Sequence, residues 1–318
     1  NEAIKARVPV LHQNMSKWGL MNGMISNNDP KDFKRLPGYF DVLMVDAPCS
    51  GSGLFRKDPA ALKEWTEEGV RLCSLRQQRI LADAWDCLNE NGVLIYSTCS
   101  YSTEENEDII DCLLNQFACE SLRLPLDASW NIIETRSEKA NGYGYRFYPD
   151  RIKGEGFFLA VVQKKSEITG IQKVKEKWEI PNKQEEAAVR KFIPDEDNQF
   201  IRMNEWIHAM PAGLLGDFLT LKNYLYMKKA GVMAGRMGSG EWIPDHELAL
   251  STGLNPEIPE LELSGSDALK YLRRDVLTAD VQKKGWIPVS FRHQKLGWVK
   301  ILPGRLNNYF PKSWRILK

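Results

Sequence analysis

The chain of 318 residues lacks the features that mark several classes of protein. No apolar run approaches the ~18 residues that a bilayer-spanning helix needs, so we expect no membrane partner. No internal repeat or low-complexity tract is present, and a composition of 43% hydrophobic and 27% charged residues excludes a disordered or collagen-like chain. At about 150 residues per domain, the length predicts two domains with room for a small third.

Cysteine is scarce, and its distribution is uneven. No two cysteines have the CxxC spacing typical of zinc ligands, and His246 has no second histidine or cysteine near it, so we expect no metal. A disulfide-stapled secreted fold would be smaller and would spread its cysteines evenly. We therefore expect reduced thiols and a cytoplasmic location. All six precede residue 120: Cys49, Cys73, Cys87, Cys99, Cys112 and Cys119.

Acidic residues are scarce at the end of the chain. Residues 266–318 contain three acids and twelve Lys or Arg, although the net charge of the whole chain is only +1. A basic terminal module on a mildly acidic body indicates a polyanionic partner. The acids are Asp267, Asp275 and Asp280, and the bases are Lys270, Arg273, Arg274, Lys283, Lys284, Arg292, Lys295, Lys300, Arg305, Lys312, Arg315 and Lys318.

Up to about Lys165, short apolar runs alternate with helical patterns. Leu81, Trp85 and Leu88 have helical spacing, and Asn91-Gly92 is expected to end that helix. The alternation predicts a mostly parallel sheet with helices on both faces. Apolar runs typical of buried strands cover residues 41–46, 93–97 and 157–162.

A further helix is predicted after residue 102. Ser102 and Glu105 have the spacing of a capping box, in which the glutamate binds the first backbone N–H groups of the helix. The apolar face of this helix is expected to bury Ile109, Ile110, Leu113 and Phe117.

Three domains are expected: an α/β domain over residues 1–165, a linker and α+β domain over 166–264, and a small β-rich module over 265–318. The last contains apolar strand patterns around Trp286 and Trp298. We expect both tryptophans in the core of that module, since a unit of about 50 residues needs large side chains to bury enough area.

Two cysteines directly follow predicted strands. Cys49 ends the segment Asp46-Ala47-Pro48-Cys49, and Cys99 ends Thr98-Cys99. In open parallel sheets, ligands bind beyond the carboxyl ends of the strands. A lone cysteine is usually a small buried hydrophobe, and we expect this of the other four, which fall on predicted helices. Two cysteines in separate loops after strands instead indicate a shared site.

These segments resemble the paired signatures of the Nol/Nop/Sun RNA 5-methylcytosine methyltransferases. Asp46-Ala47-Pro48-Cys49-Ser50-Gly51 and Ser97-Thr98-Cys99-Ser100 carry the resemblance, and Glu104-Glu105-Asn106-Glu107 follows them. Arg56-Lys57-Asp58-Pro59 and Gly154-Glu155-Gly156-Phe157-Phe158 extend it. The segments Tyr271-Leu272-Arg273, Leu296-Gly297-Trp298 and Leu306-Asn307-Asn308 to Pro311 are similar to the PUA-like module of the bacterial 16S ribosomal RNA branch.

The resemblance implies a Rossmann-like methyltransferase sheet followed by a small α+β domain and a PUA-like domain. It also implies methylation of carbon 5 of a cytosine, with Cys99 as the nucleophile that adds to carbon 6 and Cys49 assisting release of the product. Asp46 would contact the ring nitrogen and amino edge of the base. Lys57 belongs to the same motif, although alone it would be an ordinary surface lysine.

The implied cofactor is S-adenosylmethionine, placed by three acids. Glu2 matches the acid that binds the ribose hydroxyls, Asp29 matches the acid near the adenine, and Asp46 lies beside the cofactor. Without the resemblance, Glu2 and Asp29 would be ordinary surface acids, and Asp29-Pro30 is a common turn pair.

The implied partner is ribosomal RNA, possibly within the small ribosomal subunit. A non-catalytic RNA-binding protein of the same shape and a methyltransferase acting on transfer RNA are the alternatives. A DNA cytosine methyltransferase would carry a Glu-Asn-Val motif, and an amino-group methyltransferase a Pro-Pro-Tyr loop, neither of which is present.

The chain starts at Asn1-Glu2-Ala3 without an initiator methionine, and the glycine-rich loop that opens a methyltransferase sheet is missing. If Glu2 ends the second strand, at least one βαβ unit of about 30 residues precedes the chain in the parent protein. We expect the isolated chain to bind S-adenosylmethionine poorly and to be inactive by itself.

Overall fold

The computed structural model describes residues 1–167, 178–277 and 284–317. Part of the expected linker, and Asp280, Lys283 and Lys318 of the basic stretch, lie outside these ranges. The chain divides into two compact units. We call Asp29–Gln172 the cysteine unit, and Asn1–Asn28 with Lys173–Lys318 the flanking unit.

The described residues form eight α-helices and sixteen β-strands. The helices are α1 (Val8–Trp18), α2 (Pro59–Glu64), α3 (Glu67–Ala84), α4 (Glu107–Gln116), α5 (Lys183–Arg190), α6 (Leu215–Tyr224), α7 (His246–Leu250) and α8 (Gly265–Arg273). The strands are β1 (Met24–Ser26), β2 (Phe40–Asp46), β3 (Leu88–Thr98), β4 (Cys119–Ser121), β5 (Ile133–Arg136), β6 (Tyr143–Phe147), β7 (Phe157–Lys164), β8 (Asn198–Met203), β9 (Trp206–Pro211), β10 (Met227–Ala230), β11 (Val232–Gly238), β12 (Glu241–Pro244), β13 (Leu261–Glu262), β14 (Gly285–Phe291), β15 (Gln294–Leu302) and β16 (Arg305–Asn308).

None of the helices within the described ranges is both long enough and apolar enough to cross a bilayer.

The cysteine unit is built on a six-stranded sheet with the order β2-β3-β7-β6-β5, and β4 also pairs with β7. The apolar faces of α3 and α4 contribute to its core: Leu81, Ile109, Ile110 and Leu113 are buried, as predicted, against Tyr96 and Phe158 of the sheet. Trp85 stacks on the partly buried Phe117 with ring centroids 4.5 Å apart. The mixed α/β class expected from the sequence is confirmed.

The expectation of a mostly parallel sheet is wrong for the described strands. Only β2 and β3, which are connected through α3, run parallel, and the four other pairings are antiparallel. The connections between β5 and β6 and between β6 and β7 are short, and short connections favour antiparallel neighbours, whereas a parallel pair needs a long crossover.

Strand β2 is less buried than its apolar sequence predicts. It lies at the edge of the sheet, and Val42 and Met44 are 58% and 64% exposed. Because alternate residues of a strand share a face, the same register exposes Asp46. The expectation of a buried strand over residues 41–46 is therefore wrong for this face of β2, which includes Asp46.

Helix α3 also ends earlier than expected. A short 3₁₀ turn over Trp85–Cys87 follows Ala84, and β3 begins at Leu88. Asn91, with φ of 60°, lies inside β3, so the predicted helix stop at Asn91-Gly92 is wrong.

Residues 1–28 pack in the flanking unit, whereas we expected them to lie with the rest of the α/β domain over residues 1–165. Strand β1 pairs with β10 in antiparallel register, from Met24 opposite Ala230 to Ser26 opposite Met227. The remaining strands of this region form a four-stranded sheet with the order β12-β11-β9-β8. Such long-range pairing leaves no local signal in the sequence, because a three-residue strand shows little periodicity.

The end of the chain forms the four-stranded sheet β13-β14-β15-β16, capped by α8. Its core contains Tyr271, Val289, Val299 and Phe310. Trp298 is only 1% exposed, but it belongs to the neighbouring cluster with Phe200 and Leu248 of the flanking unit, and Trp286 packs there too. The two tryptophans therefore attach this module to its neighbour and do not fill its own core.

Candidate active site

The two cysteines that follow strands are brought together. Because β2 and β3 are adjacent and parallel, the loops that leave their carboxyl ends run side by side. The Sγ atoms of Cys49 and Cys99 are 2.9 Å apart, and both residues are half-buried. At this separation one sulfur donates a hydrogen bond to the other.

The shared hydrogen bond makes the two thiols unequal. It lowers the pKa of Cys99 from its ordinary value, against the opposing effects of burial and of the Asp46 charge. The same bond, with burial, raises the pKa of Cys49. Since the thiolate is the nucleophilic form of cysteine, this difference in pKa favours ionisation of Cys99 over that of Cys49.

Backbone contacts fix the loop that carries Cys49. The N–H of Ala47 donates to the carbonyl of Ser97 at 2.9 Å, and the N–H of Gly53 donates to the carbonyl of Cys99 at 2.7 Å. A Cβ on Gly53 would lie 2.4 Å from that carbonyl oxygen and 2.6 Å from the carbonyl oxygen of Gly156. Only glycine allows this close approach.

Glu105 lies behind both cysteine loops and is fully buried. Its Oε1 accepts from the N–H of Ser50 at 2.8 Å and from Nε2 of Gln77 at 3.1 Å. Its Oε2 accepts from the hydroxyls of Ser50 at 2.5 Å and Ser100 at 2.6 Å. Ser102 makes no capping bond, so the predicted capping box is wrong, and the carboxylate binds the two loops instead.

Asn106 holds the turn that follows β3. Its Oδ1 accepts from the hydroxyl of Thr98 at 2.6 Å, and its Nδ2 donates to the carbonyl of Ser100 at 2.8 Å. The N–H of Ser100 in turn donates to the Thr98 hydroxyl oxygen at 3.1 Å. Thr98, Ser100 and Asn106 thus form a closed ring of hydrogen bonds, and Cys99 lies in the chain between two of them, Thr98 and Ser100.

A buried ion pair supports the next residue of the loop. Nε of Arg146 donates to Glu107 Oε1 at 2.7 Å, and its Nη1 donates to the carbonyl of Tyr101 at 2.8 Å. The hydroxyl of Thr135 donates to the same carboxylate at 2.7 Å. The sequence predicts no role for Glu105, Asn106 or Glu107 beyond motif membership and a helix cap. The signal available in the sequence is the run of polar residues directly before an apolar helix.

Asp46 lies at the carboxyl end of β2, and its exposed carboxylate accepts from the hydroxyl of Ser97 at 3.3 Å. Its charge opposes ionisation of Cys99, which places it close to the sulfur pair. The side chain of Lys57 is exposed, and its backbone N–H donates to Leu54.

The two other acids implied in cofactor binding belong to different units. Asp29 caps its own 3₁₀ turn by accepting from the N–H of Lys31 and pairs with Arg79 at 4.0 Å, both within the cysteine unit. Glu2 lies in the flanking unit, where it accepts from the N–H of Ile4 and pairs with Arg7 at 3.4 Å.

The other four cysteines are less readily ionised. Burial raises the pKa of each thiol, to about 12 for Cys87 and about 11 for Cys119. Cys73 and Cys112 lie on α3 and α4, as predicted, but Cys119 begins β4. Thiols with a raised pKa are poor nucleophiles.

Two family models match the chain. One, described as 16S rRNA methyltransferase RsmB/F, matches residues 1–163. The other, described as the methyltransferase RsmF PUA domain, matches residues 258–316.

Curated relatives are similar over almost the whole chain. The ribosomal RNA small subunit methyltransferase F of Psychromonas ingrahamii is 29% identical, over 98% of this chain and 67% of its own length. The protein of the same name from Aliivibrio fischeri is 30% identical, with the same coverage. The chain therefore spans about two thirds of these relatives.

Among solved structures, NSun6 from Pyrococcus horikoshii with SFG is 25% identical, with a TM-score of 0.43, over 52% of this chain and 40% of that one. A methyltransferase homolog from the same organism is 29% identical, with a TM-score of 0.42, over 51% of each chain.

Proposed function

Because this chain belongs to the 16S rRNA methyltransferase RsmB/F family, we propose that it methylates carbon 5 of a cytosine in ribosomal RNA through a covalent bond to Cys99. The family and the enzyme class predicted from the sequence are confirmed by this membership. The observation that supports the finer proposal is the sulfur pair, 2.9 Å apart beyond two adjacent parallel strands.

Two thiols suit the chemistry of this reaction. Carbon 5 of cytosine is a poor nucleophile, but addition of the Cys99 thiolate to carbon 6 converts the ring to an enamine. After carbon 5 has taken the methyl group, a base removes its proton, the bond between carbon 6 and sulfur breaks, and the ring double bond returns. Cys49 assists that release.

The pairing explains how a thiolate forms without a neighbouring cation. A free thiol has a pKa near ~8.5 and is mostly protonated at neutral pH. The hydrogen bond that Cys49 provides lowers the pKa of Cys99, so a larger fraction is ionised. Asp46 would contact the ring nitrogen and the amino edge of the base, and a proton shared with the ring nitrogen would offset the negative charge that thiolate addition places on the ring.

S-adenosylmethionine, when bound, supplies the methyl group as a methyl sulfonium. The fit of this chain's acids to it is uneven. Asp46 has an exposed carboxylate at the strand end beside the sulfur pair, which suits a cofactor contact. Asp29 is partly engaged by its own turn and by Arg79, and Glu2 by Arg7. Their contacts to the adenine and the ribose remain predictions, as does the role of Lys57.

RNA binding is proposed for the basic end of the chain. Lys270, Arg292, Arg305 and Lys312 are exposed there and can contact phosphates. A cytosine in folded RNA must be unstacked to reach the sulfur pair, at a cost of a few kcal/mol, and such contacts offset that cost.

The test is to trap the covalent intermediate. In the intact enzyme, Cys49→Ala should accumulate a protein–RNA adduct that survives a denaturing gel when incubated with small-subunit ribosomal RNA and S-adenosylmethionine. Cys99→Ala should form none. Cys112→Ala, which removes another half-buried cysteine, should behave as the unmodified chain does.

An adduct that persists in Cys99→Ala would refute the assignment of roles. Transfer RNA assayed in parallel tests the substrate class, because adduct formation with transfer RNA alone would overturn the ribosomal assignment. Bisulfite mapping of ribosomal RNA from cells lacking the protein would identify the modified cytosine.

A further inference from the structure

We propose that Glu105 is a positioning residue that sets the spacing of the two sulfurs by holding Ser50 and Ser100, the residues that directly follow Cys49 and Cys99. This inference rests on the proposed function, because the spacing matters only if both sulfurs serve one base.

The contacts of Glu105 have the form that such a role requires. One carboxylate oxygen binds the Ser50 N–H at 2.8 Å, and the other binds the hydroxyls of Ser50 at 2.5 Å and Ser100 at 2.6 Å. A single rigid group thus connects one residue of each cysteine loop. Short bonds to a charged acceptor are stronger than neutral ones.

The surroundings keep this connection rigid. Glu105 is 0% exposed, so water does not compete for its oxygens. Gln77 donates through Nε2 to Glu105 and also to the carbonyl of Pro48, the residue before Cys49. The hydroxyl of Tyr96 donates to the Glu105 carbonyl at 2.7 Å, which fixes the backbone of Glu105 to β3.

The carboxylate does not act by stabilising the thiolate. Its four partners are neutral donors, and its negative charge opposes ionisation of Cys99. The benefit of placing a buried carboxylate here is therefore geometric. It aligns two loops whose sulfurs then exchange one proton.

The test is the pH dependence of alkylation of Cys99, read peptide by peptide by mass spectrometry on the full chain with iodoacetamide. Glu105→Ala removes the connection and weakens the bond from Cys49, the largest cause that lowers the pKa of Cys99. Loss of this bond raises the alkylation midpoint, and loss of the Glu105 charge lowers it. Because the bond is the larger of the two effects, we expect the midpoint to rise by about one pH unit, less than in Cys49→Ala, and the rate at neutral pH to fall up to about tenfold.

Glu105→Gln separates geometry from charge. Its amide oxygen can accept from the Ser50 N–H, and its amide nitrogen can donate to the two hydroxyls, so the connection is preserved while the charge is lost. We expect alkylation of Cys99 at or above the original rate. Glu104→Ala, the exposed neighbour, should change nothing.

If a folded Glu105→Ala chain alkylates Cys99 at the original rate, the proposal is overturned. It is also overturned if Glu105→Gln slows alkylation as much as Glu105→Ala does. If Glu105→Ala does not fold, Ser50→Ala with Ser100→Ala removes the same hydroxyl bonds and should raise the midpoint by a smaller amount. Alkylation needs neither RNA nor cofactor, so this experiment can fail while adduct formation succeeds, and the reverse.

Discussion

Cysteines and histidines, the side chains whose ordinary pKa values lie closest to neutral, occur in different units. All six cysteines lie within Asp29–Gln172, and all four histidines lie in the flanking unit, at positions 12, 208, 246 and 293. The cysteine unit therefore has no imidazole of its own to activate a thiol. The group beside Cys99 is therefore a second sulfur, in contrast to the cysteine–histidine pairs of many other enzymes.

The two units also treat a buried glutamate differently. Glu105 binds neutral donors only, as described above. Glu247 of the flanking unit instead forms a buried ion pair with Lys229, and it also pairs with His12 at 3.2 Å. The Glu105 carboxylate orients the two cysteine loops. The Glu247 carboxylate connects three elements of the flanking unit, α1, β10 and α7.

The largest effect should come from breaking the ion pair. Lys229→Met removes the ammonium group from the buried Glu247 carboxylate and leaves only the His12 imidazole as an ionisable partner within the described residues, so we expect a loss of about 3–5 kcal/mol in the free energy of unfolding of the flanking unit. Urea unfolding followed by tryptophan fluorescence measures it. Lys229→Met with Glu247→Gln should recover most of the loss, and Lys228→Met should cost little. No loss in the single variant would show that water reaches Glu247.

The next largest effect should be a difference between the two units in how their stability depends on pH. Burial lowers the pKa of His208 and of His246 to about 4, from an ordinary 6.5. Between these values both histidines bind protons in the unfolded chain and not in the folded unit, so their contribution to stability is lost as the pH falls from 6.5 towards 4. Burial also raises the pKa of Asp245 to about 7, and the proton that Asp245 binds in the folded unit offsets part of this loss.

A shift of this size corresponds to about 3 kcal/mol for a fully buried histidine. We expect His208→Gln to flatten the pH dependence of unfolding of the flanking unit, and His293→Gln, at an exposed position, to leave it unchanged. Equal acid sensitivity of the cysteine unit over this range would contradict the comparison.

The smallest effect concerns glycine. Gly53→Ala forces a methyl group against two carbonyl oxygens, and we expect a loss of about 1–3 kcal/mol and slower alkylation of Cys99. Gly216→Ala in α6 meets nothing within 4 Å and should stabilise the flanking unit by about 0.5–1 kcal/mol. Differential scanning calorimetry distinguishes the two, and a stabilising Gly53→Ala would refute the close approach.

The sequence predicted the meeting of Cys49 and Cys99 because it depends only on strand order and on where each strand ends. The capping box predicted for Glu105 was wrong, because a Ser-x-x-Glu spacing is the same whether the glutamate caps its helix or turns toward another loop. Local spacing carries no information about the partner when the partner is Ser50, far away in sequence.

Burial was harder to predict than contact. The apolar run of β2 predicts a covered strand, yet its position at the sheet edge exposes Met44 and Asp46. Likewise, Trp298 is buried as predicted but in a cluster outside its own module. Both outcomes depend on neighbours that lie far away along the chain, which a pattern within one strand does not record.

The contact of Gly53 with Cys99 and Gly156 has a consequence for the order of folding. It joins three segments that are distant in sequence, and contacts of this kind form late because closing long loops costs entropy. The sulfur pair therefore belongs to the folded unit, because no local segment brings Cys49 to Cys99. An unfolded chain carries two ordinary thiols, so unequal reactivity of the two reports that the unit has folded.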